Sequence, residues 1–541
     1  MTLLRIAVRS HRTGFIATAL LAAIGGALNA VAFVQVAGTT ATERAVFAQQ
    51  MALLARQLSY LLPAPLQLDT MAGYLVWRAF GVIGITYAFW GLLSATGAGR
   101  GDEERGLVEE WLAAGVSRAR WLVIRALAFA LVAATSLVAG LAVTEVATIG
   151  LNEALPLGPL LLEGLLMWAL ALVSFALGIF ISQLVTTRRG ASTIGGVVLL
   201  ALFLVNSSAR SGLDVTPLRW LSPFYLAERS TPLLRGGSLD PVATAILVVA
   251  ALVLLWLAGL AFMLRDVGAP LVRGPTRNSR AVWTASRDPL LRAPVLALVD
   301  QQRLWLLTWA IGLALLASFM TSLTKTIVDA LASSEIPAMR IYFERAGITA
   351  YSDFVGVIWF ATLLLLISLF VVAQVNGWAS DDAEGRLETI LSAPVSRTRV
   401  VVERIAAAIV AVGLIVAASS VAVYATASAN AIELPAGRFA LASADVLPVA
   451  YAFAGIGHAL VGWRPRLAVV ALGAVAAIGY LTQQFAPLFG WPDWVKNTSL
   501  YALYGTPMSK DDWAGIATLI AIGTAGAAVA LVVMRRRDVG R

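Results

Sequence analysis

The sequence predicts an all-α polytopic membrane protein. Its twelve transmembrane helices form two parallel six-helix repeats, each with an amphipathic cytoplasmic helix between its second and third spans. Three observations lead there. First, 59% of the 541 residues are hydrophobic and 13% are charged, whereas soluble domains sit near ~45–50% apolar. Second, apolar runs long enough to cross a bilayer recur along the whole chain, at ~20 residues each. Third, one segment occurs twice. Asp102–Arg125 laid without a gap on Asp381–Arg404 is identical at 11 of 24 positions. The shared frame is D-[DE]-x-x-G-x-x-E-x-x-L-x-A-x-V-S-R-x-R-x-x-V-x-R, and such self-similarity marks a duplicated unit.

Composition also excludes. The chain has no cysteine and only two histidines, His11 and His458, so disulfides, thiol catalysis and Cys- or His-rich metal sites are ruled out. The net charge of +9 does not call for nucleic acid, because the arginines lie in short loops between spans, where basic residues set orientation. Arg5, Arg9 and Arg12 precede an apolar run in the manner of a signal peptide. That run is longer than the usual ~7–15 residues and reads as a first span.

Taken in order, the expected spans are 15–37, 74–98, 122–149, 157–185, 191–208, 241–264, 304–321, 354–379, 400–427, 438–461, 466–487 and 513–534. Residues 1–268 make the first six-span repeat, 269–292 a Gly/Pro- and Arg-rich cytoplasmic linker, and 293–541 the second repeat. Leu3–Arg12 and Leu290–Arg303 read as interfacial helices ahead of the first and seventh spans. The longer loops Thr40–Met71 and Ser322–Ser352 read as outer helices. The ends repeat too: Arg265-Asp266-Val267-Gly268 closes the sixth span and Arg537-Asp538-Val539-Gly540 the twelfth. With a cytoplasmic N-terminus, 27 Lys/Arg face inside and 12 outside. Both termini are then cytoplasmic in the inner (cytoplasmic) membrane.

In the repeated segment Val108, Trp111, Leu112 and Val116 form one stripe, as do Leu387, Ile390, Leu391 and Val395. Asp102, Glu103 and Glu109, with Asp381, Asp382 and Glu388, fall off it in the first turns, where the helix dipole favours acids. Gly115 or Pro394 ends the helix, and Ser117 or Ser396 caps the span that begins at Arg118 or Arg397. One face rests on the bundle through Leu112 and Leu391, while the other meets a cytosolic partner. A solvated helix with no partner is the alternative.

On these residues the chain resembles an ABC-2 type transporter permease. The pattern E-x-x-L-x-x-x-[PG]-V-S-R spans Glu109–Arg118 and Glu388–Arg397. With the Ser222-Pro223-Phe224-Tyr225 loop and the fused twelve-span length, it is most similar to the polyketide antibiotic (multidrug) exporter permeases. The second copy of the loop, Ser499-Leu500-Tyr501, lacks the proline. The resemblance implies that the repeated segment, including Gly106 and Gly385, couples to an ABC ATPase. It implies two copies of that subunit, which would hold ATP and Mg, and export of hydrophobic or amphipathic molecules.

The chain cannot bind ATP in a P-loop of its own. Its three lysines, Lys325, Lys496 and Lys510, follow Thr324, Val495 and Ser509, so the Gly-Lys pair that cradles phosphates is missing. No cofactor, metal or catalytic residue is assigned. Ionisable groups within spans cost ~2.5–3.5 kcal/mol at mid-depth and tend to face cavities. Arg78, Gln374, Asn376, Asp445 and His458 are therefore the candidates for a substrate path. An ion-gradient-driven twelve-span transporter is the alternative function, but it needs embedded acids that are scarce here.

Overall fold

Residue-level helix propensity and apolar runs give helices throughout the computed structural model, which describes residues 2–57, 63–210, 216–271, 292–332, 350–383, 385–505, 508 and 512–537. No strand occurs among the described residues. Twelve helices are long and apolar enough to cross a membrane: Arg12–Ala37, Met71–Glu104, Arg118–Gly150, Leu157–Leu184, Arg188–Ser207, Pro241–Leu264, Arg303–Lys325, Tyr351–Asp382, Arg397–Ala429, Ala436–Trp463, Leu467–Ala486 and Trp513–Arg536. The chain divides into two compact units, Met1–Arg280 and Ala281–Arg541. Most of the expected linker, 272–291, and residues 333–349 of the second outer loop lie outside the described residues.

Several spans run longer than their apolar cores. The second, expected over 74–98, runs Met71–Glu104 with π-turns at Val76–Phe80 and Gly97–Gly101. The eighth has one at Val355–Trp359. Hydropathy stops where charges begin, but backbone hydrogen bonding continues when those charges find partners. Helices Thr2–Ser10 and Pro294–Gln301 precede the first and seventh spans. Helix Ala41–Gln57 occupies the first outer loop, with Thr39 and Thr40 N–H groups donating to Glu43.

Packing inside each unit uses small residues where helices touch and aromatics where they diverge. A Cβ on Gly91 of the second span would stand 2.4 Å from the Ala171 carbonyl of the fourth, the close approach that small residues permit between apolar helices. Farther along, Phe129 and Phe175 stack at 4.5 Å. In the second unit Trp359, Phe360, Ile367 and Phe370 anchor a core shared with Phe453 and Tyr504. Leu127, Leu131 and Val138 of the third span stay exposed, as expected for a surface that meets lipid tails.

The Ser-Pro-Phe-Tyr loop forms a short helix, Pro223–Glu228, whose cap Ser222 accepts from the Tyr225 N–H. Ser499 does the same for Tyr501 at 3.2 Å without a proline. The serine is the shared structural element, and the proline adds only a preset first turn.

Candidate functional site

The repeated segment does not form the single helix expected from its stripe. The second span carries straight on through Asp102–Glu104. Gly106 then takes φ +73°, and a separate short helix follows, Leu107–Ala113. The second copy repeats this with Gly385 at φ +70° before helix Arg386–Leu391. A Cβ at either glycine would meet nothing within 4 Å. The requirement is therefore conformational: only glycine enters the left-handed region at little cost. Gly106 and Gly385 are hinges between span and short helix, not positions within a helix.

Charge placement differs from expectation as well. Asp102 and Glu103 are buried, together with Arg100, Arg125 and Arg265. A charge cannot stay in such a place unpaired, and each has partners. Asp102 binds Arg125 of the third span and, at 2.5 Å, Arg105. Glu103 binds Arg100 at 2.6 Å and Arg265 from the end of the sixth span. It also accepts from the Gly268 N–H. Arg265 donates to the Gln183 side chain at 2.9 Å and, with Arg100, to the Ala269 carbonyl. In the second unit Asp381 binds Arg404 at 2.9 Å and Arg386 at 2.8 Å, while Asp382 binds Arg537 at 2.8 Å. Here the two aspartates are only partly buried. Asp102, Glu103, Asp381 and Asp382 are thus consumed inside the chain. They form an ionic clasp that ties the end of the second or eighth span to the third and sixth, or the ninth and twelfth. His11 sits beside the first clasp. Burial, then the Arg125 charge, lowers its pKa to about 4, so it is neutral at physiological pH.

Arg118 and Arg397, expected to face a partner, also turn inward. Arg118 donates to the carbonyls of Phe262 and Arg265 at 2.6 and 2.8 Å. Arg397 donates to those of Met534 and Arg537 at 3.0 and 2.6 Å. Both guanidiniums satisfy the orphan C-terminal carbonyls of the last helix in their unit and complement its dipole. Ser117 and Ser396 cap the third and ninth spans through the N–H groups of Arg120 and Arg399.

What remains for solvent is smaller than the segment. Glu109, Glu110 and Glu388 are exposed, as are Thr389 and Ile390. The apolar contact beneath each short helix is Val108 or Leu387, both buried, whereas Leu112 and Leu391 are only half-buried. The stripe was assigned one residue too far along because the true helix starts after the hinge.

The proposed substrate-path residues are not gathered into one path. Arg78 is exposed, as is Asn376. Gln374 donates to Gln302, and Asp445 lies at the joint between helices Ala436–Ala444 and Val446–Trp463. His458 alone of the five lines a pocket. Glu145 holds the turn after its span by accepting from Thr148 and the Leu155 N–H. The arginines of the clasp, Arg125, Arg265, Arg404 and Arg537, went unassigned. Their signal was present as the last Arg of the repeated frame and the Arg-Asp-Val-Gly closing each half, but linear spacing does not say which acid meets which base.

Comparison with known proteins agrees with this arrangement. Residues 4–267 match the ABC-2 family transporter protein model. Residues 291–535 match that of the multidrug efflux system permease Rv1217c, C-terminal domain. None of the curated proteins compared with the chain matches it. With permease models covering both halves and twelve membrane-capable helices, the chain belongs to the ABC-2 type transporter permeases.

Proposed function

We propose that this permease is the membrane subunit of an ATP-driven exporter of hydrophobic or amphipathic small molecules. ATP and Mg are bound by a separate ABC ATPase, of which two copies dock, one on each short helix. The chain lies in the cytoplasmic membrane with both termini and both short helices on the cytoplasmic side. One observation carries the reading. Each unit offers an exposed acidic face, Glu109 or Glu388, on a short helix whose base is fastened by ion pairs to the ends of two further spans. Such a helix passes displacement to the spans rather than bending alone.

The test is the double substitution Glu109→Arg with Glu388→Arg. Both residues are exposed, so folding should be unaffected, whereas reversed charge at an interface weakens docking. With the permease and its ATPase reconstituted, dye-stimulated ATP hydrolysis should fall by about tenfold or more, the equivalent of ~1.4 kcal/mol of coupling. Mass measurement of the wild-type complex should give two ATPases per permease chain. Full stimulation in the double variant would mean that the short helices are only solvated faces.

A further inference from the structure

We infer that the second unit holds a binding site for a planar aromatic small molecule bearing one hydrogen-bond donor, directly beneath its short helix. The pocket encloses about 420 Å³ of empty space at the clasp end of the eighth, ninth, tenth and twelfth spans, and Leu387 of the short helix lines it.

The first unit shows what such a space accommodates. The two units can be matched residue by residue here, because Arg118 and Arg397 make the same pair of bonds, to Phe262 and Arg265 or to Met534 and Arg537. In the first unit Trp121 and Phe262 fill the region, their rings 5.3 Å apart and both under 2% exposed. The Arg125 guanidinium lies over Trp121 at 5.9 Å and that of Arg265 over Phe262 at 5.1 Å. In the second unit Val400 and Met534 stand at those positions and both line the pocket. Two aromatic rings have been removed while the arginines that covered them, now Arg404 and Arg537, remain.

A second substitution holds the space open. Gly99 of the second span packs so closely on Ser182 that an added Cβ would come within 2.8 Å. The matching position in the eighth span is Trp378, which lies against His458 of the tenth with ring centroids 3.5 Å apart. A Trp–His pair thus separates spans where a glycine–serine contact would let them close.

His458 then supplies the polar point. Its Nδ1 lies 2.8 Å from the Ala454 carbonyl. A carbonyl only accepts, so Nδ1 carries the proton and Nε2 of the neutral ring presents a lone pair. Nε2 is buried without a partner, a costly condition that a ligand hydroxyl or N–H relieves. Apolar walls, one buried acceptor and guanidiniums at the rim together select an aromatic ring system with a donor, with the arginines adding cation–π attraction. The inference concerns binding alone and does not depend on the coupling role of the short helices.

The experiment uses the purified full chain in lipid nanodiscs and 2-naphthol as probe, followed by its fluorescence. Saturable binding of about one probe per chain is expected, weakened about tenfold or more by Val400→Trp with Met534→Phe, which restores the first unit's rings. 2-Methoxynaphthalene, which lacks the donor, should bind several-fold more weakly, and His458→Phe should abolish that difference. Non-saturable binding, or full affinity in the ring-filled variant, overturns the inference. If that variant fails to fold in a thermal melt, the donor comparison decides: equal affinities for the two naphthalenes in the wild type overturn it equally.

Discussion

Glu103 and Glu109 belong to one repeated segment, yet one is buried among arginines and the other lies in solvent. Composition treats them alike, but their substitutions should diverge. Glu103→Gln leaves Arg100 and Arg265 buried with less than their charge balance, and breaking a buried pair typically costs ~3–5 kcal/mol. Glu109→Gln should change stability by no more than about 0.5 kcal/mol. Thermal melts of the two variants in the same detergent check this, and equal shifts would contradict the clasp. Gly106→Ala tests the hinge. Its Cβ has room, so the cost is that of a left-handed backbone for an L-residue, roughly 1–2 kcal/mol, read as a lowered melting temperature. A neutral result would show that the hinge does not need φ near +73°.

At the scale of elements, the short helices are too brief to be stable alone, since isolated helices below ~12–15 residues are marginal. They persist because a capped span follows and a clasped span precedes. Arg118 is the clearest joint, linking the start of the third span to the last carbonyls of the sixth. Arg118→Ala should loosen that end without touching the exposed face. Amide hydrogen exchange should rise in residues 260–268 and stay unchanged on the opposite ends of the same spans. Unaltered protection there would reduce Arg118 to a surface charge. Periodicity placed the buried contact at Leu112 and Leu391, and the structure moved it to Val108 and Leu387. A left-handed residue resets helical phase, and no apolar pattern records that reset.

For the whole molecule, topology is the open prediction that the sequence makes most directly. In this cysteine-free chain, single cysteines at the exposed positions Glu109, Glu388 and Glu43 report sidedness. An impermeant thiol reagent added to intact cells should label position 43 and spare 109 and 388. Labelling of 109 or 388 would invert the model. The sequence by itself determined the helical class, the twelve spans and the existence of a duplicated segment, because bilayer thickness and backbone hydrogen bonding leave few solutions for apolar runs of this length. It also determined the serine caps, a local signal confined to three residues. Only the tertiary structure decided what the repeated charges are for. Asp102 meets Arg125, and Glu103 meets Arg265, across separations that no local pattern encodes. Buried ions choose partners by three-dimensional proximity in a low dielectric, and only the folded chain sets that proximity.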